Sequence, residues 1–306
     1  MIEIVVTCES IPQAEALLDS GADSLVFGEA TFGLRLPADF SREEQTKLTQ
    51  LIHQKGKKAI VAVNGIMHPE KMKLIPEYLR FLKEIKVDQI LVGDPGIIQV
   101  MKQRELALPF IYAAETLVTN ARQINFWGKK GATGAVLARE VPFEEMAVME
   151  PALEIPVEVQ VYGATCIHQS KRPLLENYYR YTRQEEGVAK ERGLFLSDPQ
   201  DENTHYSIFE DDHGTHIFAT NDLSLVKELG ELAQAGFTTW KLDGIFTPGA
   251  DFVAITALIY QAKVAIEAGN WTEEVAQELA EAVASHHPKG RDLDTGFYYV
   301  NPKKIR

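Results

Sequence analysis

Hydrophobic positions along the 306-residue chain fall into two alternating kinds of segment. Short β-rich runs appear as IEIVVT, SLVFG, KAIVAVN, QILVGD, FIYAAET, GAVLARE, VEVQVYG and TTWKLDG. Between most of them lie stretches with apolar residues three and four apart, such as IPQAEALLDSG and PEKMKLIPEYLRFLKEIK, which is helical spacing. Gly21 is a natural C-cap for the first of these. Strand and helix repeated eight times predict parallel pairing with right-handed crossovers. The fold class is therefore α/β, and a closed (β/α)8 TIM-type barrel is its economical form, because closure removes the sheet edges. The alternative is an open doubly wound sheet, weakened because no G-x-G-x-x-G follows the first strand.

The alternation breaks once, between the seventh and eighth strands, where residues from about 164 to 236 intervene. This insertion holds a polar helical candidate (RPLLENYYRYTRQEEGVAKERG), a hairpin candidate (YSIFEDDHGTHIFAT, turning at Asp212–Gly214) and a helix expected from an N-cap at Asn221. Long loops after barrel strands sit over the active-site mouth, so a lid, a partner surface or both are expected here. A single barrel domain is expected over residues 1–306, with a C-terminal tail from about 286 to 306.

Composition narrows the class. Hydrophobic residues make up 45% and charged residues 25%, as in soluble globular proteins with a large core. MIEIVV carries no cationic leader, and no apolar run is read as approaching the roughly 18 residues of a membrane helix. The expectation is a cytoplasmic protein with no membrane contact. Its two cysteines, Cys8 and Cys166, make no disulfide framework and are too few for an all-cysteine metal site, which takes about four ligands. The formal charge of −13 repels nucleic acid, so RNA contact would need a local basic patch or a partner that supplies one. Lys171, Arg172, Arg180 and Arg183 are local cations, as are those in the tail runs KGR and PKKIR, although a solvated helix face and a frayed end explain them equally.

In a barrel, polar residues at the carboxyl ends of strands point into the mouth. Those ends carry Cys8 and Glu9, Gly28 and Glu29, Asn64, Asp94, Glu115 with Asn120, Arg139 with Glu140, Tyr162 to His168, and Lys241 with Asp243. Strand-to-loop boundaries are polar anyway, but the pairs Arg139-Glu140 and Lys241-x-Asp243 stand where the apolar pattern breaks. A mouth with Arg139, Lys241 and Arg35 suits a substrate bearing carboxylates or phosphates. Cys166 is open to three readings: nucleophile, metal ligand, or remnant of either. With His168 it makes a poor peptidase dyad, since residues two apart share no helix face and no third group orients the base. His205, His213 and His216 surround the hairpin and read as exposed loop histidines. Cys8 reads as a small buried hydrophobe, with a position facing Cys166 across the mouth as the alternative.

GADSLVFGEATFGLR (21–35), VNGIMHPEKM (63–72), VDQILVGDPGII (87–98), VTNARQINFW (118–127), VLARE (136–140), YGATC (162–166), NDLSLVKELGELAQAG (221–236), KLDG (241–244) and TGFYY (295–299) run in order along the chain. Together they resemble peptidase family U-32, the collagenase-like peptidases. The resemblance implies more than the label: members include prephenate-dependent tRNA wobble-uridine hydroxylation proteins, a ribosomal RNA cytidine hydroxylase and ubiquinone-pathway hydroxylation proteins. It further implies a barrel with a cysteine-held [4Fe-4S] cluster and pairing of a longer with a shorter paralogue. This chain resembles the shorter type.

YGATC puts Cys166 at the family's first cluster-ligand position, but IHQSKRPLL follows with no second cysteine. The resemblance therefore implies no cluster held by this chain alone, with Cys166 and His168 as weak metal candidates and the cluster on a longer partner. Ile245 stands where the family often has arginine, which leaves Arg139 and Lys241 as its anion contacts. A prephenate-like co-substrate, tRNA contact through the partner, and a heteromer or homodimer are expected. Glu115, Glu140 and Cys166 are the expected catalytic residues. Arg35, Asn64, Asp94, Asn120, Arg139, Lys241 and Asp243 are the expected substrate-binding ones. A collagenase-like peptidase and a non-catalytic scaffold subunit are the alternatives.

Overall fold

The computed structural model describes residues 1–304, so the last two tail residues, Ile305 and Arg306, lie outside the described residues. Strands β1 (Glu3–Thr7), β2 (Ser24–Phe27), β3 (Lys58–Val63), β4 (Gln89–Val92), β5 (Phe110–Tyr112), β6 (Ala132–Val136) and β7 (Val157–Gly163) pair in sequence, all parallel. The chain then forms five strands in the insertion: β8 (Cys166–Ser170), β9 (Phe195–Asp198), β10 (Asp201–Asp211), β11 (Gly214–Phe218) and β12 (Asp222–Ser224). β13 (Thr239–Leu242) returns to pair in parallel with both β1 and β7, and closes the eight-stranded barrel that the alternation predicts.

Strand periodicity sorts the apolar residues into two layers. Ile4, Val6, Leu25, Phe27, Val61 and Val63 face the helices, where the fully buried Trp240 and Tyr78 also pack. Val5, Val26, Ile60, Ala62, Leu91, Ile111 and Ala113 fill the barrel interior. On β7 and β13 the interior turns polar, with Glu158, Gln160 and Lys241. Gly163 ends β7 at φ +112, and a Cβ there would come within 2.2 Å of the Asp243 carbonyl oxygen. Only glycine allows the strand to turn this tightly toward the mouth.

Three expectations are corrected. The segment PEKMKLIPEYLRFLKEIK forms two helices, Pro69–Met72 and Ile75–Glu84, each opened by a proline that has no N–H to continue the preceding turn. The polar helical candidate is helical only over Leu174–Thr182, because Arg183 takes a left-handed conformation (φ 57) and caps it. No helix starts at Asn221. Asp222–Ser224 is instead a strand, antiparallel to β7 and parallel to β14 (Leu293–Asp294), and the next helix is Leu229–Gln234. Tertiary pairing outbids local helix signals here, and Arg291 in the tail fixes it with hydrogen bonds to both Asp222 carboxylate oxygens.

The helix Gly249–Glu267 is long and apolar enough to cross a membrane by length and composition, contrary to the sequence expectation. It lies against the helices Ile11–Asp19 and Glu273–His286, burying Phe252, Ile255, Ile259 and Ala262. Its Lys263 pairs with Asp23 at 2.8 Å. The hairpin turning at Asp212–Gly214 forms as expected, between β10 and β11, and joins an antiparallel sheet in the order β8-β11-β10-β9.

Candidate active site

A cleft of about 680 Å³, counted to its open mouth, lies at the carboxyl end of the barrel. Asn64, Glu115, Arg139, Glu140, Gln160, Cys166 and Lys241 line it, with Ile167 and Phe297 forming apolar wall. Glu115 follows β5 and Arg35 follows β2; both adopt left-handed backbone angles (φ 53 and 50) that non-glycine residues rarely take. Two such residues in contact mark strain held in place by the surrounding fold. The contact is an ion pair: Arg35 Nη2 lies 2.7 Å from Glu115 Oε2, and Arg139 Nη1 lies 3.6 Å from the same oxygen.

Gln160 orders the second cation. Its amide nitrogen donates to the carbonyls of Gly163 and Ala164 (3.1 and 3.2 Å), which leaves its Oε1 to accept from Arg139 Nε at 2.7 Å. Arg35 Nη1 donates to Gln169 Oε1 on β8 at 2.9 Å. Burial pushes the Glu115 carboxyl up, but Arg35, Arg139 and Lys241 outweigh it and hold the group below the usual carboxylate range. The Glu115 carboxylate therefore organises the cations of the cleft.

The insertion brings a second group to this cleft. Cys166 opens β8 opposite Phe218 of β11, and His216 lies two residues before Phe218, with both rings against Phe209 despite an irregularity in the pairing between Ile217 and Phe218. His216 Nε2 lies 2.8 Å from Asp211 Oδ1, and that oxygen also accepts the His213 backbone N–H at 2.7 Å. Burial alone would raise the Cys166 thiol; the neighbouring His216, Arg35 and Arg139 reverse this and lower it below the ordinary thiol value. Burial likewise disfavours the His216 imidazolium, and Asp211 with Cys166 more than restores it, raising the group.

The expected residues separate into two sets. Glu115, Glu140, Asn64, Arg139, Lys241 and Cys166 line the cleft, and Arg35 supports it through Glu115. Asn64 is also structural, since its Oδ1 accepts the Leu34 N–H at 2.9 Å. Asp243 is nearly buried at the base of β13's loop and accepts the Ile245 N–H at 3.1 Å. Asp94 and Asn120 are corrected: they are helix N-caps, accepting the N–H of Gly96 (2.7 Å) and Gln123 (3.0 Å), and they do not line the cleft. His213 and His216 are buried, contrary to the exposed-loop expectation, and His213 Nε2 pairs with the Ala30 carbonyl at 2.8 Å. His205 stacks on Phe195.

The donor set does not fit a cysteine-held cluster. Cys8 lies in the layer between barrel and helices, with its thiol raised to about 12 by burial and by Glu9. Cys166 packs on a separate apolar cluster of Ala164, Phe209, Phe218 and Ile245, so the two do not share the mouth. His168 is exposed and offers Cys166 only its backbone carbonyl, at 3.3 Å. Among the described residues, no three His, Cys, Asp or Glu side chains gather to hold a metal ion.

Over 301 residues the chain is 37% identical to the tRNA hydroxylation protein P2 of Bacillus subtilis, covering 97% of each. It is 24% identical over 262 residues to the tRNA hydroxylation protein P1 of the same organism, covering 85% of this chain but 62% of that longer protein. Among solved structures, the U32 peptidase Mk0906 superposes with a TM-score of 0.50 at 15% identity, over 79% of this chain and 92% of that one, a likeness of fold. The sequence profile of peptidase family U32 matches residues 9–306, and the chain belongs to that family.

Proposed function

We propose that this protein takes part in hydroxylation of the tRNA wobble uridine to 5-hydroxyuridine, in the cytoplasm, beside a longer relative. The observation that carries it is the end-to-end likeness to a protein named for tRNA hydroxylation. The cleft supports it chemically. Arg139 and Lys241 are the cations of this cleft, and a small dicarboxylate of the prephenate kind would meet both. Gln160 holds the Arg139 guanidinium by Nε and Glu115 steadies it, so the fork is oriented before the anion arrives. Glu140 lies next to Arg139 on the cleft wall, and we assign it the role of proton acceptor toward the base.

A cluster, where the reaction needs one, falls to the longer partner, since this chain's donors do not form a site for it. Occurrence of P1 and P2 proteins in one organism supports pairing of a long and a short member. The test is nucleoside mass spectrometry of bulk tRNA from a deletion strain. Loss of 5-hydroxyuridine-derived nucleosides, restored by wild type and not by Arg139→Ala, is expected. An unchanged profile in a strain lacking a redundant enzyme contradicts the proposal, and restoration by Arg139→Ala favours a scaffold subunit.

One observation favours a second function. Cys166, His216 and Asp211 have the order of a cysteine-peptidase triad, with the third group that Cys166 and His168 lack. Gelatin cleavage by pure protein, abolished in Cys166→Ala, would establish it; no cleavage is expected.

A further inference from the structure

Cys166 and its neighbours are a built arrangement that anion binding leaves unused. The thiol borders the cleft beside Thr165 and Ile167. Behind it, His216 is fully buried, with Nε2 committed to Asp211 and Nδ1 lacking any hydrogen bond of ordinary geometry. Nδ1 is thus the ring nitrogen left to serve the thiol: His216 and Phe218 both rest on the Phe209 ring, and Cys166, paired with Phe218, packs on the same cluster while its thiol donates to the His168 carbonyl at 3.3 Å. Asp211 cannot swing away easily, because it also closes the hairpin through His213 N–H. On the cleft side, Arg35 and Arg139 add positive potential. A thiol kept only for packing looks different, and Cys8 shows how: enclosed in the apolar core, with its nearest acceptor a carbonyl 4.0 Å away.

We infer that Cys166 is a covalent nucleophile, with His216 as its proton acceptor and Asp211 as the residue that orients His216, and that its target is a ring carbon conjugated to a carbonyl, C6 of a pyrimidine. The choice of a pyrimidine rests on the tRNA function proposed above. His216 takes the thiol proton, the Cys166 Sγ–C6 bond forms, and the C5=C6 π pair moves to C5 and O4 as an enolate. That step makes C5 electron-rich, as its hydroxylation by an electrophilic oxygen requires. With a hydroperoxide as oxidant, C5 takes the terminal oxygen, the O–O bond breaks, and the alkoxide leaves, taking its proton from water in the cleft. Loss of the C5 proton to Glu140 on the cleft wall, which returns it to that water, and expulsion of the Cys166 thiolate, which takes its proton back from His216, then restore the double bond. The sum is uridine and hydroperoxide to 5-hydroxyuridine and alcohol.

Two measurements on the full chain test this separately. The first is iodoacetamide alkylation of Cys166, followed by peptide mass spectrometry between about pH 5 and 9. Wild type should stay reactive near pH 6, whereas His216→Ala and Asp211→Asn lose about tenfold there, with unchanged circular dichroism. A wild-type rate that falls about tenfold per pH unit below 8, equal to that of His216→Ala, overturns the nucleophile. The second adds tRNA anticodon stem-loops carrying 5-fluorouridine, with and without the longer relative. Fluorine replaces the hydrogen that must leave, so an adduct on the Cys166 peptide is expected, absent in Cys166→Ser. Fast alkylation with no RNA adduct, but labelling by a peptide chloromethyl ketone, overturns the pyrimidine target in favour of an acyl substrate. Fast alkylation and an unchanged tRNA profile in the deletion strain would sink the hydroxylation function while leaving the nucleophile standing.

Discussion

Two glutamates face the inside of the same barrel and meet opposite fates. Glu115, at the carboxyl end, has Arg35 and Arg139 within ion-pair distance and is held ionised. Glu158, at the opposite end of β7's interior row, is 3% exposed, and neither carboxylate oxygen has a hydrogen-bond partner. Burial raises its carboxyl, and Lys241 only partly offsets this. The same residue type in the same fold is therefore an organised anion at one end and an uncompensated acid at the other. Arg35, Arg139 and the Cys166 thiol gather at the first end, which is how a barrel separates chemistry from scaffold.

Breaking the first end should have the largest effect. Glu115→Gln leaves Arg35 buried without its counter-charge and should destabilise the protein toward the lower part of about 3–5 kcal/mol, since the carboxylate is partly open to the cleft. Urea denaturation measures it, and adding Arg35→Met should recover most of the loss; no recovery would mean the pair is not the coupled unit described. At the second end the sign reverses. Glu158→Met removes an unsatisfied buried carboxyl and should stabilise by about 1–3 kcal/mol in the same assay. A destabilised variant would show that Glu158 has a partner after all.

The pH dependence sharpens the contrast. Glu115, lowered from 4.5, contributes stability that is present above that value and is lost as pH falls through its folded-state value. Glu158, raised from 4.5, binds its proton more tightly when folded, so its contribution declines as pH rises through its folded-state value. The gain from Glu158→Met should therefore widen from acid toward neutral pH, and a pH-independent gain would contradict the raised carboxyl. The smallest expected effect on stability is that of Gln160→Leu, about 1 kcal/mol from the lost bonds to the Gly163 and Ala164 carbonyls and to Arg139. Thermal denaturation reads that loss, and tRNA modification should fall further than stability does.

Much of this was legible in the chain. Eight apolar runs separated by helical spacing predict the closed barrel, and the charge pairs at strand ends point to Arg139 and Lys241. Asp94 and Asn120 cap helices, and that signal is also in the chain: Asp-Pro and Asn-Ala before helical runs are capping sequences. Gln160 was legible too, as a polar residue on an otherwise apolar strand in the same alternation as Glu158. His216 and Asp211 were not. Their meeting with Cys166 depends on how β8 pairs with β11, including a bulge between Ile217 and Phe218, and no local pattern sets that register. Likewise, Asp222–Ser224 is a strand because β7 and the distant Leu293–Asp294 bond to it.

The most direct test of the division between the two ends is complementation of a deletion strain, read by nucleoside mass spectrometry of its tRNA. Glu158→Met should restore 5-hydroxyuridine-derived nucleosides to the wild-type level, and Arg139→Ala, accumulated to the same amount, should restore none. Equal restoration by both would contradict a chemical role for the cleft, and restoration by neither would mean that the lower end of the barrel is not mere scaffold.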